Sequence, residues 1–173
     1  LGALTVTEYE WVILTAHYVV ATSIFTAVVA AAAWGLADRG IGRTADAVRL
    51  ALLGMPIMLV LTPHSFVAFG PTTQATYYVV GLATYAALIC ATLWASAAHG
   101  AQKDAYGKLR LLVAPASVIV VALLIVGRQV YGPTLQLAHL GGTAVALALV
   151  VAAFSVVRGG LPAPRAAVTN DAD

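Results

Sequence analysis

Apolar residues in this chain neither alternate nor recur as a single stripe; they come in long runs. Five stretches, 11–36, 48–69, 75–98, 109–130 and 134–157, are apolar nearly throughout and are interrupted mostly by small or hydroxylated residues. A helix needs roughly 20 such residues to cross the hydrocarbon core of a bilayer, since each adds about 1.5 Å of rise. A helix that is hydrophobic all round has no face to offer water. The pattern predicts an all-α integral membrane protein with five transmembrane helices.

The breaks between runs set the topology. Only "GPTTQ" separates the second run from the third, and only "YGP" the fourth from the fifth. Links this short, built from glycine and proline, join antiparallel neighbours. The expected architecture is one antiparallel bundle over 11–158. Residues 1–10 form an extracytoplasmic segment. Residues 159–173, "GGLPAPRAAVTNDAD", form a disordered cytoplasmic tail, being small, polar and proline-containing. The first run follows Glu8 and Glu10 rather than a basic stretch, which reads as a retained span and not a signal peptide.

Composition excludes the alternative of a soluble domain. Hydrophobic residues make up 61% of the 173 and charged ones 9%, against about 25% charged in soluble proteins. The formal net charge of +2 is small and dispersed, which excludes a nucleic-acid partner. Basic residues also give an orientation. With alternating helices, Arg39, Arg43, Arg49, Lys103, Lys108, Arg110, Arg158 and Arg165 fall on one side, and Arg128 alone on the other. The positive-inside rule then predicts an extracytoplasmic N-terminus and a cytoplasmic C-terminus. The expected location is a prokaryotic cytoplasmic membrane. The single cysteine, Cys90, lies inside an apolar run and reads as a packing residue.

Candidate chemistry comes from the histidines. His99 follows the third run and reads as a solvated loop residue. His17, His64 and His139 lie inside three different runs. Counted from the nearest outer boundary, each sits roughly 9–10 Å deep in the outer leaflet. Ionisable side chains in a span usually face the bundle interior and mark a cofactor, an ion path or a proton relay. The bland alternative is hydrogen bonding between helices. Gln136, His139 and Thr143 recur at helical spacing beside Gly142, and Tyr77, Gly81 and Tyr85 form a second stripe of that kind. Small residues of this sort open a slot and aromatics line it.

Two histidines facing each other across a bundle suit axial ligation of haem iron. Arg128, with Gln129 and Tyr131 at the outer mouth, would suit the propionates through bidentate pairing. This layout resembles a small b-type membrane cytochrome. The resemblance implies haem b held by two of His17, His64 and His139, lined by Tyr77 and Gln136, and electron transfer within or across the membrane. Implied partners are a quinone or redox protein and the other subunits of a larger complex, or further copies of this chain. A histidine-ligated copper site is the alternative metal reading. "AHLGG" is similar to the histidine helix of rhomboid proteases, but "GLATYAAL" lacks their nucleophilic serine. A carrier, a channel or a cofactor-free accessory subunit is the remaining class. Pro56 and Pro63 would break the second helix for it, though no intramembrane carboxylate supports ion coupling.

Overall fold

The computed structural model of this protein describes residues 11–66, 70–127 and 132–161, and every regular element among them is helical. The long helices are α1 (Trp11–Gly35), α3 (Thr44–Phe66), α4 (Gly70–Ser96), α5 (Lys103–Val126) and α6 (Pro133–Arg158). A single turn, α2 (Ala37–Gly40), and the 3₁₀ turn Ile41–Arg43 join α1 to α3. Among the described residues, five helices are long and apolar enough to cross a membrane. Large apolar side chains such as Val28, Leu53, Val60, Val79 and Leu137 are exposed on their outward faces. Lipid, not water, suits such a surface.

Several boundaries differ from those that hydrophobicity predicts. The "GPTTQ" stretch is the first turn of α4 rather than a link, because proline near a helix start loses no bond that the helix would make. Lys103–Lys108 likewise belongs to α5, since charged residues that leave the apolar window are still good helix formers. The span around α3 starts earlier than residue 48, at Thr44, whose hydroxyl donates to the Ile41 carbonyl at 2.9 Å. The expected break in that helix does not occur. α3 is continuous through Pro56 and Pro63, as α5 is through Pro115. Neighbouring helices and local adjustment let spans tolerate the missing backbone bond.

Four of the helices close on themselves. α3 packs against α4 and α6, and α5 packs against the same two, while α1 lies outside against α4 and, less closely, α5. The buried positions recur at helical spacing: Val48, Ala51, Met55 and Met58 on α3, then Ala146, Val150 and Ala153 on α6. Small residues allow close approach. A Cβ on Gly54 would run into the Thr84 hydroxyl, and one on Gly81 would lie 2.5 Å from a Leu124 methyl.

At the end near α2, the Trp94 ring covers Gly40 so closely that no Cβ would fit. Its Nε1–H donates to the Ala33 carbonyl of α1 at 3.0 Å. Replacing Trp94 by Phe keeps an aromatic ring but deletes this bond. The expected loss is about 1 kcal/mol, confined to the docking of α1. Faster hydrogen exchange at the α1 end, with the other helices unchanged, is the checking measurement.

Candidate functional site

Three buried polar residues, Thr62, His139 and Thr143, lie near where α4 and α6 begin and α5 ends. Pro133 starts α6, with Gly132 before it at φ 86°, a conformation suited to glycine. Two turns later His139 is 3% exposed, and Thr143 below it is fully buried, its hydroxyl turned back on the His139 carbonyl at 2.9 Å. The His139 Nε2 lies 3.1 Å from the Leu123 carbonyl and 3.3 Å from the Tyr77 hydroxyl.

Donor and acceptor requirements assign the protons. The Leu123 carbonyl lies in the last turn of α5, which ends at Val126. A carbonyl only accepts; Nε2 must therefore carry the hydrogen and donate to it. With that tautomer, the Tyr77 oxygen accepts the second branch of the same N–H, and its own hydrogen is free to donate. Tyr77 also makes a side-chain hydrogen bond to Thr62. The Thr62 hydroxyl also donates to the Met58 carbonyl at 2.7 Å. The result is a chain of polar contacts, His139 to Tyr77 to Thr62 to Met58, crossing from α6 through α4 to α3. The same imidazole ties α6 to the last turn of α5. All four helices of the ring meet at this one chain.

Aromatic rings extend it to α1. His17 is half-buried and meets Tyr18 edge-on, with centroids 5.8 Å apart. Tyr18 stacks on Tyr78 at 5.6 Å, Tyr78 meets Tyr77 edge-on at 5.6 Å, and Tyr77 lies 6.0 Å from His139. Gly127 leaves room for the cluster. A Cβ there would sit 3.3 Å from the Tyr78 hydroxyl and 3.6 Å from His139 Nε2.

Of the candidates from sequence, Tyr77 and His139 are in direct contact, and His17 joins them only through Tyr18 and Tyr78. Gln136 is half-buried one turn before His139. Arg128 and the His64 side chain lie outside the described residues. Among those residues no three His, Cys, Asp or Glu side chains come together as metal ligands do. Tyr85 does not share the partner of Tyr77. Its hydroxyl pairs with Thr26 of α1 at 2.9 Å, and Phe25 stacks on its ring. Cys90 packs half-buried against the core.

Sequence reasoning missed Thr62, the Leu123 carbonyl, Gly127 and the Tyr18–Tyr78 stack. Thr62 lies two residues before His64, and its face could have been read from the buried positions Met55 and Met58 at helical spacing. A backbone carbonyl carries no such signal. Beside the site, a cavity of about 510 Å³ opens between α5 and α6, lined by Val118, Ile119, Leu123, Leu135, His139 and Gly142. Comparison with family models, with curated proteins and with solved structures finds no match to this chain.

Proposed function

We propose that this chain is a membrane-embedded redox component, b-type-cytochrome-like, oriented with its N-terminus outside and its basic ends in the cytoplasm. The observation that supports it is the unbroken run of ring contacts from His17 to His139 at one end of the bundle. These rings line up through an otherwise aliphatic interior, as a path for electrons would. Haem, when bound, would supply a one-electron couple tuned by its axial ligands and burial.

Hydrogen bonding divides the histidines. The Nε2 of His139 is committed to Leu123 and Tyr77, so this residue orients and donates within the protein. His17 and His64 are then the ligand pair, with Arg128 for the propionates. Copper on the same two imidazoles is the other metal this donor set suits. A quinone, a redox protein or further subunits would exchange electrons with the site.

The same chain of hydrogen bonds favours a second reading, a cofactor-free accessory subunit or small carrier in which His139 only ties helices together. Absorption spectroscopy on the purified protein separates the two. The redox reading expects a Soret band, with alpha bands on dithionite reduction. His17→Ala or His64→Ala should each abolish it, and His139→Gln should keep it. A colourless protein that also lacks copper by elemental analysis leaves only the cofactor-free reading.

A further inference from the structure

At the opposite end of α5 a cavity of about 500 Å³ opens between α4 and α5, bounded by Ser96, Lys103, Asp104, Lys108, Arg110 and Leu111. Three cations stand there against the single carboxylate of Asp104. Among the described residues Arg49 and Asp46 form the one ion pair, at 2.7 Å, so none of the three cations is neutralised by a described side chain. The floor is apolar, being made of Ala95 and Ala98.

From this cavity an apolar ridge runs along α5. Leu111, Pro115, Val118 and Ala122 are all exposed and recur at four- and three-residue spacing, which keeps them on one face. Leu111 is 72% exposed and Val118 65%. Val118 and Ala122 belong to the wall of the second cavity, the apolar one beside His139. From Lys108 to Val118 the helix rises about 15 Å, which is half the roughly 30 Å hydrocarbon core and so the depth of one leaflet.

We propose that this surface binds an anionic phospholipid, with its phosphate headgroup among Lys103, Lys108 and Arg110 and an acyl chain along Leu111, Pro115 and Val118. The charge selects the headgroup, and cationic pockets between membrane helices are suited to one. The ridge selects a lipid over a free anion, because a soluble phosphate makes no use of it. The ridge begins one turn past Lys108, where an acyl chain below a headgroup would start. This inference rests on the bilayer placement of the helices and not on the redox reading, so either can fail alone.

The test is lipid retention by the full chain. Delipidated protein in detergent is mixed with phosphatidylglycerol or phosphatidylcholine of identical chains, and bound lipid is counted by native mass spectrometry. The wild type is expected to prefer phosphatidylglycerol by about tenfold or more. Each basic side chain near an anionic surface is worth roughly a factor of five. The Lys103→Gln/Lys108→Gln/Arg110→Gln variant should therefore lose the preference, while Lys103→Arg/Lys108→Arg keeps it. If the triple variant does not fold, Lys108→Gln alone carries the test, with about a fivefold loss expected. Leu111→Asn should weaken retention of the long-chain lipid and leave a dihexanoyl analogue unaffected. An unchanged preference in the glutamine variants overturns the proposal. So does displacement of the lipid by equimolar inorganic phosphate, which would make the site one for free anions. Retention of an acidic peptide in place of lipid would overturn it too, and would make the surface a protein interface.

Discussion

Gly54→Ala should destabilise the protein by more than about 2 kcal/mol, the middle of the range for overpacking a filled core. The sign is the informative part. Glycine to alanine inside a helix ordinarily stabilises it by about 1 kcal/mol through propensity. Here the added methyl has nowhere to go, because the Thr84 hydroxyl already occupies its place. Thr84 cannot step aside cheaply. It is 1% exposed, and its hydroxyl is tied to the Val80 carbonyl at 2.8 Å. Thermal unfolding in detergent, followed by circular dichroism, measures the effect. Moving the glycine across the interface, as Gly54→Ala with Thr84→Gly, should recover most of the loss. Failure of that double variant to recover would mean that some other contact sets the α3–α4 spacing.

The second large effect is expected at His139. Replacement by Leu fills much of the space and removes one donor with two acceptors. The Leu123 carbonyl loses its bond to the imidazole, and Tyr77 loses the neighbour that orients its hydroxyl. Each buried polar group left without a partner costs roughly 1–3 kcal/mol. Hydrogen bonds between membrane helices average only about 0.6 kcal/mol, since a loosened state finds other partners. That lower figure should govern Tyr77→Phe, which deletes one hydroxyl and leaves Thr62 and His139 their backbone bonds. The higher one should govern His139→Leu, because a carbonyl at the end of a rigid helix cannot turn to a new donor. A thermodynamic cycle over the two sites should give a coupling of at least about 0.5 kcal/mol. Strict additivity would mean that the pair does not act as one chain.

Length and polarity carried the helices, since five apolar runs leave little else for those segments to form. Ends were harder to read. Gly70–Gln74 and Lys103–Lys108 are helical although neither is apolar, because hydrophobicity reports the solvent around a helix and not the hydrogen bonds that define it. Pairing was harder still. Tyr77 and Tyr85 lie two turns apart on α4 and look equivalent in sequence, yet one reaches α6 and the other α1. Helix azimuth decides that, and azimuth follows from packing at positions such as Gly54 and Gly81. His139 was legible as an interior residue from its type alone. Its bond to a backbone carbonyl was not, because that depends on where α5 stops.

The outlying position of α1 has a consequence during synthesis. Its partners on α4 are far along the chain: Tyr85 follows Thr26 by 59 residues and Trp94 follows Ala33 by 61. At roughly 5–20 residues per second, α1 waits about 3–12 s in the bilayer before they emerge. For that interval its α4 partners are not there to cover it. A helix with one strongly polar face would be poorly held while waiting, whereas α1 is apolar over most of its surface. Its few hydroxyls turn inward on its own carbonyls, as Thr22 does to Tyr18 and Ser23 to Val19. α1 therefore needs no partner to stay in place, and the ring can be built later beside a helix already in position.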